Sequence, residues 1–161
     1  MNDSRPTALI TGASRGLGAA LTEALASKGW RVIMTARDAD TLQATRDTIG
    51  EAHPDATLLA VAGDITEAAH REALAHQVAS LDAPLDLLVN NAGTLGPSPL
   101  PELLTIDLAA FANVLHTNTV SQLGMIQALA PHFATRPTII NLSSDAAANA
   151  YPTWGAYGAS K

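Results

Sequence analysis

With 161 residues, 47% of them apolar and 15% charged, the chain has the length and composition of one folded domain, residues 1–161, and not of a disordered segment. A net charge of −6 without any basic run argues against nucleic acid or an anionic membrane as main partner, and the lack of cysteine excludes disulfides and thiolate metal sites. The opening "MNDSRPTALI" has no charged-then-apolar signal pattern and no apolar run reaches the roughly 18 residues of a membrane span, so a cytoplasmic protein with no membrane partner is predicted.

In chain order, five short apolar, partly β-branched runs read as strands: "TALIT" (7–11), "RVIMTA" (31–36), "TLLAV" (57–61), "DLLVN" (86–90) and "TIINL" (138–142). They alternate little between apolar and polar, which suits parallel strands covered on both faces. Helical patterns lie between them. Within 16–28, Leu17, Ala20, Leu21, Ala24 and Leu25 fall at the spacing of one helix face. Leu42 and Ile49 mark a second helix over 38–51, ahead of Pro54. Thr66 is the expected N-cap of a third, with Leu74, Val78 and Leu81 on its buried side. The stretch 105–133 is long enough for a helix of several turns, and the three prolines of "GPSPLP" (96–101) make a loop. Strand–helix alternation at this spacing predicts βαβ units: an α/β, doubly wound, Rossmann-like parallel sheet of about five strands.

The segment "TGASRGLG" (11–18) follows the first strand and opens the first helix, with glycine at positions 12, 16 and 18. Such a turn lets the backbone approach a ligand, and free amides at a helix N-terminus attract phosphate. At the end of the second strand, an acidic residue would bind a ribose 2′-hydroxyl, whereas arginine accommodates a 2′-phosphate. This chain has Ala36 and then Arg37, with Arg15 inside the glycine turn. That pattern favours NADP(H) over NAD(H).

Six segments then stand in order: "TGASRGLG", "GDI" (63–65), "NNAG" (90–93), Asn118 in "HTNTV", "NLSS" (141–144) and "YGASK" (157–161). Together they resemble the short-chain dehydrogenase/reductase family. The resemblance implies an oxidoreductase that interconverts a carbonyl and an alcohol on a small-molecule substrate, and a homodimer or homotetramer when complete. It gives Tyr157 the role of acid/base, with Lys161 one helical turn on, biasing the phenol and holding the nicotinamide ribose. Ser144, thirteen positions before Tyr157, would bond the substrate oxygen, and Asn118 would position a water that relays protons to Lys161. Cofactor contacts are implied at Gly12, Ser14, Arg15, Gly16, Leu17, Gly18 and Arg37, at Asp64 and Ile65 beside the adenine, and at Asn90, Ala92 and Gly93, besides Tyr157 and Lys161.

The histidines show no metal-ligand spacing, and no metal is expected. Tyr151 and Trp154 are candidates for pocket walls, for core or for an interface. Asp145 and Ser121 depart from the family pattern. The chain matches the first two-thirds of such a domain, so further strands, the nicotinamide loop and the substrate-covering helices are expected beyond Lys161. On that reading residues 1–161 alone are nearly inactive, and the rival function is a non-catalytic dinucleotide-binding module.

Overall fold

The computed structural model describes residues 5–161. Five parallel strands form one sheet: β1 (Thr7–Thr11), β2 (Arg31–Ala36), β3 (Thr57–Ala62), β4 (Leu85–Asn90) and β5 (Phe133–Asn141), in the spatial order β3-β2-β1-β4-β5. The order reverses between β1 and β4, which opens a crevice at the carboxyl ends of those two strands. This is the Rossmann-like, doubly wound α/β arrangement read from the sequence.

Successive side chains along each strand enter two separate cores. On one face Leu9, Ile33 and Leu88 pack with Leu74 and Val78 of α3 (Ala68–Ala79) and with Met125 and Leu129 of α5 (Ser121–Leu129). On the other face Ile10, Val32, Met34 and Val89 meet Ala26 of α1 (Gly16–Ala26) and Leu42 and Ile49 of α2 (Ala39–Ala52). Two-sided burial explains the unbroken apolar runs.

Three expectations need correction. First, α1 turns Gly18, Thr22 and Ala26 to the sheet; Leu17 is 54% exposed, and only Leu21 and Leu25 of the expected face pack, partly, on the core. Small side chains let the helix lie close, and the Thr22 hydroxyl is satisfied by the Gly18 carbonyl at 2.9 Å. Second, Thr66 is not an N-cap. Glu67 holds that position without a side-chain bond, while the Thr66 amide and hydroxyl both donate to Asp64 Oδ1, at 2.9 and 2.8 Å. Third, β5 begins at Phe133, ahead of the expected 138. Its pairing with β4 jumps from Leu85↔Phe133 to Leu87↔Thr138. Pro137 lacks the amide a regular ladder needs, so the regular part is the stretch the sequence marked.

The long helical stretch is α4 (Leu108–Leu115), one π-helical turn over His116–Val120, and then α5. A short α6 (Gly155–Ala159) follows β5 and its loop. Among the described residues, no helix is long and apolar enough to cross a membrane.

Candidate functional site

A cleft of about 410 Å³ lies at the carboxyl ends of β1–β4. Of the cofactor residues named from the sequence, Gly12, Ser14, Arg15, Arg37, Asp64, Ile65, Ala92 and Gly93 line it. Gly16, Leu17 and Gly18 form the first turn of α1.

The glycine turn is shaped by close backbone approach. Gly12 has φ +66°, and a Cβ there would stand 2.9 Å from Asn91 Nδ2. At Gly18 a Cβ would fall 2.3 Å from the Gly12 carbonyl oxygen, inside van der Waals contact. Arg15 precedes α1 in extended conformation, and no side chain caps the helix, which leaves its first-turn amides for a ligand. Two residues missed by the sequence reading hold the turn. Asn91 Nδ2 donates to the carbonyls of Thr11 and Gly12, at 2.9 and 3.1 Å. Thr45 of α2 donates its hydroxyl to the Ser14 carbonyl at 2.7 Å. Asn91 was legible as a member of "NNAG"; Thr45 lies 31 positions from its partner and gave no local signal.

Asn90 is buried at the end of β4, where Nδ2 donates to Asn141 Oδ1 of β5 at 2.8 Å and so braces the sheet beside the cleft.

Among the described residues, no hydrogen bond or ion pair holds the side chains of Arg15 or Arg37. Asp38, also on the cleft wall, is engaged as the N-cap of α2: Oδ1 accepts from the Thr41 amide at 2.8 Å. Bonds from the Thr41 side chain and amide, and the nearby Arg15 charge, hold its pKa below the ordinary value. Burial pushes Asp64 up, but the Thr66 bonds, with Arg37 and His70 nearby, outweigh it, so its carboxyl also titrates below the usual range. Arg37 thus acts on an Asp64 carboxylate whose own partners are already in place.

Asn118 and Lys161 meet at the Gly93 edge of the cleft. A Cβ on Gly93 would sit 3.1 Å from Asn118 Oδ1 and 3.7 Å from Lys161 Nζ. Asn118 is buried in the π-helical turn, where Oδ1 accepts from the Thr94 amide (2.7 Å) and Nδ2 donates to the Thr94 carbonyl and Ser160 Oγ (2.8 Å each). Ser160 in turn donates to the Tyr157 carbonyl at 2.6 Å. A side-chain chain therefore runs from the π turn to the helix carrying Tyr157, through a serine that only its position inside "YGASK" hinted at. Ser121, which follows this turn, donates its hydroxyl to the Thr117 carbonyl at 2.5 Å.

Lys161 Nζ lies 5.7 Å from the Tyr157 ring centroid and donates to the Leu142 carbonyl at 2.6 Å. Burial holds its pKa below the ordinary lysine value. Ser144 Oγ accepts from the Ala146 amide at 3.2 Å, ahead of a single 3-10 turn. Asp145 is turned to Asn149 Nδ2 and the Tyr151 hydroxyl. Tyr151 and Trp154 are not core: they remain 46% and 37% exposed, and edge-on contacts run from Tyr151 through Trp154 to Tyr157. Neither Tyr157 nor Lys161 lines the cleft itself.

Comparison with known proteins agrees with the fold. The family model described as short chain dehydrogenase matches residues 6–161. A serine 3-dehydrogenase of Rhizobium radiobacter is 38% identical over 96% of this chain and 60% of its own length. The sepiapterin reductase of Mus musculus is 34% identical over 95% of this chain and 63% of its own. A metagenomic short-chain oxidoreductase solved in complex with NADP superposes with a TM-score of 0.87 at 36% identity, over 97% of this chain and 70% of that one. The chain thus spans about 60% of the length of these curated relatives, and it belongs to the short-chain dehydrogenase family.

Proposed function

We propose that this chain is the dinucleotide-binding and acid–base part of an NADP(H)-dependent oxidoreductase that interconverts a carbonyl and an alcohol. The observation that carries the reading is the meeting at Gly93: one edge of the cleft borders Asn118 and Lys161, while its lining holds Arg15 and Arg37 without protein partners. The residues fit the cofactor. Uncapped amides of α1 suit a pyrophosphate, and Arg37 suits a 2′-phosphate.

When bound, the nicotinamide supplies the hydride donor or acceptor. This chain's residues handle the proton and the charge. Tyr157 Oη gives a proton to, or takes one from, the substrate oxygen. The Lys161 ammonium stands beside the ring that carries this oxygen. Ser144 donates to the same oxygen, steadying negative charge there. Asn118 fixes the 94 loop and, through Ser160, the seat of Tyr157. The water relay from Asn118 to Lys161 is part of this proposal.

One observation favours a second reading, a dinucleotide-binding module without turnover: Lys161 Nζ is engaged by the Leu142 carbonyl. Titrating the protein with NADPH and NADH, then following NADPH oxidation with a panel of carbonyl compounds, separates the two. Oxidation that Tyr157→Phe abolishes supports the enzyme; tight binding without oxidation supports the module; no binding overturns both.

A further inference from the structure

The two strand ends that carry Arg37 and Asp64 are braced by a histidine that the mechanism does not use. Gly63 directly follows β3, and the ring of His70, from the first turn of α3, occupies the place of its missing side chain. A Cβ built on Gly63 would stand 2.1 Å from His70 Nδ1. From this seat Nε2 hydrogen-bonds the hydroxyl of Thr35, a wholly buried residue of β2, at 2.8 Å. The Gly63 amide donates to the Ala36 carbonyl at 2.9 Å, so the ring lies against both strand ends at once. Thr35, Ala36, Arg37, Gly63, Asp64 and Ile65 are the cleft wall on that side.

Few charges bear on the ring. From the loop after β3, the Asp64 carboxylate acts on it, and Arg37 acts in turn on that carboxylate. From β2 the neighbour is uncharged Thr35. On α3 itself, Arg71 turns to the carbonyls of Ile65 and Thr66, and Glu67 is exposed. Burial holds the ring's pKa below the ordinary histidine value, against the upward pull of Asp64, so it is neutral at pH 7.

We propose that His70 is a positioning residue for nucleotide recognition: its neutral ring, seated over Gly63 and bonded to Thr35, fixes the cleft wall against the adenosine half of the dinucleotide, and that wall loosens when the ring takes a proton. The inference rests on the reading of the cleft as a nicotinamide dinucleotide site. It differs from the role of Arg37, because the adenosine half is common to NADP(H) and NAD(H).

Calorimetric titration of the protein with NADP+ and NAD+ tests it. His70→Ala weakens both nucleotides alike, by about three- to tenfold, the scale of one lost buried hydrogen bond. Gly63→Ala does the same, because the new methyl evicts the ring. The double variant loses no more than either single one, since the methyl then has room. NAD+ carries no 2′-phosphate to titrate, so it serves the pH arm. Its affinity for the wild type falls from pH 7 to pH 5.5, whereas His70→Gln, which keeps a hydrogen-bonding group and cannot titrate, gives a flat profile. Additive losses in the double variant, or the same pH slope in His70→Gln, overturn the proposal. Wild-type binding that His70→Ala leaves unchanged overturns this role alone. A wild type that binds neither nucleotide overturns the cofactor reading and this role with it. Should His70→Ala fail to fold, the His70→Gln profile decides the matter.

Discussion

The two sides of the sheet's switch point are built differently. On the β1-β2-β3 side, β1 and β2 pair in unbroken register from Thr7↔Arg31 to Thr11↔Thr35, and β2 is covered on both faces. The cleft wall there joins backbone bonds, such as Ala13 N–H to the Thr35 carbonyl at 3.0 Å, to side-chain braces from Thr45 and His70. On the β4-β5 side the ladder slips once, and Ile139 and Ile140 remain 37% and 44% exposed. The groups gathered there, Asn118, Ser160, Tyr157 and Lys161, are linked through side chains. The first wall thus rests on a regular ladder with a few long-range side-chain braces, whereas the second cluster rests on a chain of side-chain bonds beside a slipped ladder.

The sharpest break of this contrast is a single atom. Tyr157→Phe removes the phenolic oxygen from the β5 side and touches nothing on the other. Turnover should fall by about a hundred- to ten-thousandfold, the usual contribution of a positioned acid/base. NADPH binding, followed by fluorescence, should hardly change. Unaltered steady-state turnover would remove Tyr157 from the mechanism.

Two isoleucines probe packing. Ile33, wholly buried in the middle of β2, should cost about 2–5 kcal/mol when cut to alanine, because a cavity opens in a core that cannot collapse. Ile140 of β5 already meets solvent, and the same change should cost less than about 1.5 kcal/mol. Urea unfolding of the two variants checks this. Equal losses would mean that β5 is covered in the protein as it exists in solution.

Arg37→Ala tests what the nucleotide wall adds beyond backbone. A charge-assisted phosphate contact contributes about 1.5–3 kcal/mol, so NADPH should bind roughly ten- to a hundredfold more weakly. NADH affinity should stay within a small factor. If both cofactors lose equally, Arg37 shapes the wall and does not read a 2′-phosphate.

The same contrast governed how much could be read in advance. The bounds of β1 and β2 were legible to the residue, since unbroken apolar runs end at Gly12 and Arg37, where the backbone turns to the cleft. The start of β5 was not, because Phe133–Pro137 is paired irregularly around a proline. Glycine spacing announced the turn, but not which face of α1 lies on the sheet. That was decided by closeness at Gly18, a contact with Gly12, and not by the leucines. "YGASK" named Tyr157 and Lys161, but the π turn that buries Asn118 has no local signature in "HTNTV". Asn91, Thr45 and His70 act across long sequence separations, and their partners appear only once the strands are set side by side.

The smallest effect concerns the histidine that joins β2 to β3, and it needs no cofactor. In the unfolded chain His70 takes a proton near its ordinary value of 6.5; in the fold, burial lowers that value while Asp64 opposes the change. Where the two states differ, the unfolded chain binds more protons, so stability decreases as the pH falls. The contribution is intact above about 6.5 and is lost progressively below it, down through the depressed folded value. Asp64 acts in a separate window: its folded pKa lies below 3.8, so what it contributes disappears only as the pH falls past 3.8 and lower. Urea melts of the wild type and His70→Gln at pH 7.5 and 5.5 isolate the first term, because the other histidines cancel in the difference. The wild type should lose ground to the variant on acidification. The opposite drift would mean that the carboxylate, and not burial, sets the charge of this ring, and that the β2–β3 wall carries a cation at neutral pH.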